Sequence, residues 1–252
     1  MLLAACGSSP SKGGATANSS SAGATKGAAK SPSKSGAKST TTSTPALACA
    51  TGTAASGVLM TVAQEPDQGV STPKGQCWAK IPYTSIAKLS TGTPPAGAKA
   101  QFKAAWNSQN LYILAYVQKW PLYDANAAST HDDDTVEFYL AGDHKFASSY
   151  DSVDCQYNVV YTGTVSQTTT CNTGLKGKPV TQVVQGTGYY DELVVPWTML
   201  GIGAPAKGQE YAFSIAVDMA SSSGHRLAQV EWAGGANNDW SETADWGSIT
   251  LG

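Results

Sequence analysis

No aromatic residue precedes Trp78, and residues 7–45 contain neither an acidic side chain nor a large apolar one. That stretch is built only from Gly, Ser, Ala, Thr, Pro, Asn and Lys, and its charges are Lys12, Lys26, Lys30, Lys34 and Lys38. A segment with nothing to bury cannot offset the entropy of ordering its backbone, so residues 7–45 are expected to be a disordered tether. Also missing is any run of the roughly 18 apolar residues that a membrane-spanning helix needs. There is no C-x-x-C pair and the three histidines are scattered, which argues against zinc. Neither G-x-S-x-G nor H-E-x-x-H occurs, and Ser9-Pro10-Ser11-Lys12, which fits S-x-x-K, falls inside the low-complexity stretch. No catalytic constellation is legible in these motifs, and sequence alone cannot pair the many carboxylates. The chain has 16 basic and 18 acidic side chains; with five lysines in the tether, the remainder is left with 11 against 18, a formal −7. An acidic domain is poorly suited to nucleic-acid phosphates.

The chain opens Met1-Leu2-Leu3-Ala4-Ala5-Cys6, followed at once by Gly7-Ser8-Ser9. Leu3-Ala4-Ala5-Cys6 resembles the lipobox of bacterial lipoproteins, in which the cysteine is acylated and becomes the new N-terminus. The resemblance implies export and a lipid anchor on Cys6, outside the cytoplasm on the bacterial cell membrane. A signal peptide needs a charged region and about 7–15 apolar residues, so the gene start is expected to be truncated and residues 1–6 a remnant of the signal. Thirty-nine flexible residues would span roughly 35 Å on average, and about 130 Å if stretched. The five lysines suit anionic headgroups or wall polymer, or simply keep the linker soluble.

Four cysteines then remain: Cys49, Cys77, Cys155 and Cys171. An even number in an exported domain suggests disulfides, and four cysteines allow three pairings. Cys155 and Cys171 flank an expected hairpin, which favours Cys155–Cys171 together with Cys49–Cys77. The second bridge would pin the start of the domain, taken as residues 46–252.

The domain reads as all-β. In Leu111–Gln118, Leu111, Ile113, Ala115 and Val117 alternate with Tyr112, Leu114, Tyr116 and Gln118, the period-two pattern of a strand between layers. Further strands are expected at Gln101–Trp106, Thr135–Ala141, Gln156–Thr162, Val180–Val184, Tyr189–Pro196, Glu210–Asp218, Leu227–Trp232 and Ser248–Leu251, with a helical turn at Trp197–Leu200. Many short strands with Gly- and Ser-rich connections imply a sandwich or barrel.

Several motifs occur in a telling order: Ala105-Trp106-Asn107 before Leu111–Val117, Asp134–Leu140, Asp154 with Gln156-Tyr157, Tyr190–Trp197, Phe213–Asp218 with Arg226, then Trp232, Trp240 and Trp246–Leu251. Over residues 65–252 the series resembles carbohydrate-binding module family 9. The resemblance implies an antiparallel, jelly-roll-like β-sandwich that grips a sugar of a poly- or oligosaccharide between two tryptophans. A pyranose has an apolar C–H face and a rim of hydroxyls, so its site needs aromatic plates plus hydrogen-bonding side chains. By position, Trp240 matches one plate, Glu137 a sugar-binding carboxylate and Asn237 an asparagine near the sugar. His131 stands where the second tryptophan is expected, Asn158 replaces an arginine, and Ala216 replaces a glutamine. A lost plate forfeits about 60 Å² of apolar contact, or about 1.5 kcal/mol, which is about tenfold in affinity. Trp120 or Tyr123 could substitute for it. The family implies calcium, and Asp132, Asp133 and Asp134 could form a carboxylate site for it; a solvated acidic turn is the plainer meaning of the run. The domain is expected to act as a monomer that captures sugar, with any breakdown left to a separate glycoside hydrolase. Two alternatives remain: a haem-carrying electron-transfer module, with axial ligands drawn from His131, Met199 and Met219, and a structural envelope or adhesion protein.

Overall fold

In the computed structural model, the described residues are 46–125, 129–167, 179–234 and 237–252. They lie in one compact unit, Pro45–Gly252. Cys6, the tether and Cys171 lie outside them.

Thirteen strands are present among the described residues: β1 (Leu59–Gln64), β2 (Thr84–Ile86), β3 (Lys88–Gly92), β4 (Lys99–Trp106), β5 (Asn110–Gln118), β6 (Thr135–Ala141), β7 (Asp154–Val160), β8 (Val165–Gln167), β9 (Val180–Val184), β10 (Gly188–Pro196), β11 (Glu210–Ala220), β12 (Arg226–Glu231) and β13 (Gly247–Leu251). Trp197–Leu200 forms the expected helical turn, of 3-10 type, and ends at Gly201 with φ 73°. The first sheet runs β8-β7-β6-β11, and β11 then pairs β13 with one half and β12 with the other. The second sheet holds β2, β4, β5, β10 and β9. Pairing is antiparallel except at β1. That strand pairs in parallel with β13 through Leu59–Val62 and with β4 through Ala63 and Gln64, so it stitches the two layers together.

Strand period two sorts the residues. Val136, Phe138, Tyr157, Val159, Phe213, Ile215 and Val217 face inward from the first sheet and meet Phe102, Ile113, Val117, Leu193 and Val195 from the second. Trp106 and Trp197 belong to this core. So do Met199 and Met219, which places both away from the cavity that His131 lines. The pair of axial ligands that haem needs is therefore not assembled there.

The second sheet's outer face carries Ala105, Tyr112 and Leu114. Chain 47–81 covers these through Val70, Trp78 and Ile81. The Cys49–Cys77 disulfide closes that cover, as the cysteine count led us to expect. Cys155 is buried on β7 and disulfide-bonded.

Burial raises several carboxyl groups. It pushes Asp154 up to about 6, Asp239 to about 7 and Glu192 to about 8. The folded chain thus holds protons that the unfolded chain releases near pH 4. The stability they contribute is fully present below about pH 4 and is lost as pH rises through about 6 to 8. Calorimetry should show a higher melting temperature near pH 5 than near pH 8; the reverse order would contradict this.

Candidate functional site

The outward face of the first sheet is polar over β8, β7 and part of β6 and β12, beside an apolar patch of Tyr139, Ala141, Ala212, Ala216 and Trp246. Ser166 on β8, Asn158 on β7 and Glu137 on β6 are cross-strand partners in one row. Ala216 on β11 and Glu231 on β12 extend it. Gln156 lies two residues from Asn158 on the same face, and Gln229 pairs with Asp218. A cavity of about 550 Å³ opens over this floor. Glu137, Gln156, Asn158, Ser166 and Gln229 line it from the strands, Arg226 from the start of β12, and Ser129, Thr130, His131, Asn237 and Trp240 from two loops.

Each wall has an identifiable support. Glu137 is 3% exposed; it accepts hydrogen bonds from the Tyr139 hydroxyl and from Gln229 Nε2 at 3.1 Å. Arg226 donates to Asp218 Oδ1 at 3.2 Å. Burial, with Glu137 nearby, holds the Asp218 carboxyl well above the ordinary range. Asn158 Nδ2 donates to Thr130 Oγ1, which is 2.7 Å from Ser166 Oγ, so the 129–132 loop is tied to β7 and β8. The opposite loop hangs on Asp239. Its buried carboxylate accepts from Ser214 Oγ of β11 at 2.7 Å, and its carbonyl from the Tyr150 hydroxyl. Asn237 adopts φ 55°, a left-handed conformation that Asn tolerates, and its carbonyl accepts from Trp240 Nε1 at 2.9 Å. The result is an indole 59% exposed at the cavity. Asn158 Oδ1 and Gln229 Oε1 have no hydrogen-bond partner among the described residues. Such acceptors cost about 1–3 kcal/mol each unless water or a ligand hydroxyl supplies the donor.

All five residues proposed from the sequence, Trp240, Glu137, Asn237, His131 and Asn158, line this one cavity. Gln229 and Arg226 were missed as site residues. They arrive from β12, next to β11, where Ala216 stands at the expected glutamine position, and only strand register reveals that. Trp120 and Tyr123 do not substitute for the second plate, since each lines a different cavity. Lys119 explains why. Its ammonium binds Asp134 Oδ2 at 2.7 Å and Pro121 O at 2.9 Å, and Tyr123 N donates to the same carboxylate, which fixes residues 119–123 elsewhere.

The acidic run is also spoken for. Asp134 additionally accepts from Ala220 N, Asp133 from Ala125 N, and Asp132 from Arg226 N. Among the described residues, the only group of three or more His, Cys, Asp or Glu side chains whose ligand atoms converge is Cys49, Glu65 and Cys77, and its two sulfurs form a disulfide. The three aspartates do not converge on a point where an ion could sit. A calcium site made of them does not fit this geometry.

An exposed indole beside a polar-floored cavity on a two-layer sandwich is the arrangement of a binding module. Residues 72–252 match the model of the carbohydrate family 9 binding domain-like family. The chain belongs to that family. Among curated proteins it is similar to exoglucanase XynX of Acetivibrio thermocellus, 30% identical over 175 residues, covering 69% of this chain and 15% of that one. It is also similar to endo-1,4-beta-xylanase A of Thermotoga neapolitana, 23% identical over 195 residues, covering 77% of this chain and 18% of that one. The chain therefore spans less than a fifth of these relatives. Among solved structures it resembles a family 9 carbohydrate-binding module of Caldicellulosiruptor kristjanssonii in complex with glucose. The TM-score is 0.67 at 23% identity, covering 77% of this chain and 95% of that one. A family 9 module of the same organism in complex with cellotriose gives 0.65 at 24% identity, covering 77% of this chain and 93% of that one.

Proposed function

We propose that this chain is a lipid-anchored, non-catalytic surface protein that captures neutral poly- or oligosaccharide in the Trp240 cavity. The observation that carries the reading is the pairing of an exposed indole with a floor of amide, carboxylate and guanidinium groups. The indole offers the sugar's C–H face a stacking plate, while Glu137, Gln229, Asn158 and Arg226 offer its hydroxyls donors and acceptors. The complexes of the Caldicellulosiruptor modules with glucose and cellotriose support a gluco-oligosaccharide as ligand. The xylanase relatives support xylan as a second candidate.

Cys6 and the tether supply the address, and the Cys49–Cys77 bridge is in keeping with an oxidising compartment. Expressed in a bacterium behind a complete lipoprotein signal peptide, the chain should take up labelled palmitate and Cys6→Ser should lose it; equal labelling of both, or none in the parent, would contradict the anchor. Capture near the membrane would serve a separate glycoside hydrolase.

Calorimetric titration of the chain with cellotriose and xylotriose tests the sugar reading, and no heat with either at millimolar concentration would sink it. His131→Trp should tighten binding about tenfold, by restoring about 60 Å² of stacking surface. Unchanged or weaker binding would show that His131 is not at a stacking position.

A further inference from the structure

Five of the seven tryptophans, Trp78, Trp106, Trp197, Trp232 and Trp246, are buried. The other two, Trp240 at 59% and Trp120 at 43% exposure, each line a cavity, and the two cavities share no lining residue. The cavity at Trp120 measures about 430 Å³, within the range of small-ligand sites. It lies at one end of the second sheet, where β4 begins, β5 ends and β9 turns into β10. Its walls are the 95–98 turn, Gln118, Lys119, Trp120, and Gly186 with Thr187.

The parts are held in place. Ala98 N donates to Pro95 O at 3.0 Å and Thr187 N to Val184 O at 2.9 Å, closing both turns. Lys119 N donates to Thr187 O at 3.0 Å, which fixes the residue before Trp120 against the β9–β10 turn. Gly97 and Gly186 have φ of 79° and 75°, and a Cβ at either would meet nothing within 4 Å. These walls are low and open, so a chain can pass across the cavity instead of ending in it. Among the described residues, Lys119 is the only ionisable one in the lining. Its ammonium is already committed to Asp134 and to Pro121 O, so the cavity presents no free charge. Exposed indole, amide, hydroxyl and turn carbonyls without charge match an uncharged pyranose chain; an anionic ligand would find no counter-charge.

We infer that the Trp120 cavity is a second carbohydrate-binding site, which contacts the interior of a neutral polysaccharide while the Trp240 cavity holds another segment. The inference shares with the proposed function only the class of ligand. Two sites on one rigid domain raise the apparent affinity for a polymer long enough to reach both, and do nothing for a short oligomer.

The test uses the full chain and three variants, Trp120→Ala, Trp120→Tyr and Trp240→Ala. Each is measured for cellotriose affinity by calorimetry and for adsorption to insoluble cellulose and to xylan. Trp120→Ala should leave cellotriose affinity within about twofold yet weaken adsorption to the preferred polymer about tenfold or more. Trp120→Tyr, which keeps an aromatic plate, should retain most of the adsorption. The second site is overturned if Trp120→Ala adsorbs like the parent while Trp240→Ala loses adsorption; that result leaves the first site standing. It is overturned equally if Trp120→Tyr loses as much as Trp120→Ala, or if the parent chain adsorbs to neither polymer. A Trp240→Ala variant with unaltered cellotriose affinity would instead strike the reading of the Trp240 cavity.

Discussion

Trp240→Ala is expected to weaken binding of a soluble oligosaccharide at least tenfold while leaving the melting temperature unchanged. The two halves of this result have one cause. The indole is 59% exposed and its single hydrogen bond goes to the carbonyl of Asn237 in its own loop, so it adds little to folding. The loop is anchored by its neighbour Asp239, through Ser214 and Tyr150, and that anchor survives the substitution. Against a bound sugar the same ring covers about 60 Å² of apolar surface, or about 1.5 kcal/mol, which is about tenfold. His131 lines the same cavity but offers a smaller ring, so it cannot make good the loss. Calorimetry reads the affinity and a thermal melt reads the fold. Unchanged affinity would remove Trp240 from the site, and a large fall in melting temperature would make it a packing residue.

Lys119→Met should destabilise the fold severely, by about 3–5 kcal/mol. Lys119 and Asp134 form an ion pair with side-chain exposures of 3% and 0%. Burial alone drives the Asp134 carboxyl upward; Lys119, Ala220 N and Tyr123 N pull it back. Removing the ammonium leaves a carboxyl without its counter-charge in the wall between β6 and β11. It also removes one of the ties on the 119–123 segment, because Pro121 O loses its donor. For a domain of about 200 residues this corresponds to a melting temperature lower by roughly 10 °C. The double variant Lys119→Met, Asp134→Asn should recover part of the loss, because no charge is then stranded. A single variant that melts within about 2 °C of the parent would show the pair to be dispensable.

The strands legible in the sequence were those with strong alternation. All nine expected runs are strands, with ends displaced by a few residues at most. The four missed ones are β1, β2, β3 and β8. β2 and β8 are three residues each, too short to show a period, and β3 is Lys-Leu-Ser-Thr-Gly, largely exposed along an edge. β1 does alternate, through Met60 and Val62, but its parallel bridging between layers depends on the whole topology. The site divides in the same way. Trp240, Glu137, Asn237, His131 and Asn158 could be found because a family pattern places them in order. Arg226 stands in the same series but was given no role, and Gln229 is in no motif; both complete the cavity from a neighbouring strand, and no spacing along the chain encodes who stands beside whom. The acidic run Asp132–Asp134 shows the same difference between one dimension and three. Three adjacent carboxylates resemble a cation site in one dimension, while in three each is committed to a different backbone or lysine partner.

The central claim is that sugar enters over the outer face of the first sheet beside Trp240. A crystal of the chain soaked in cellotriose tests it most directly. A pyranose should lie stacked on the Trp240 indole, with hydroxyls within hydrogen-bond reach of Glu137 and Gln229. Sugar bound only elsewhere, with the Trp240 cavity holding none, would contradict it.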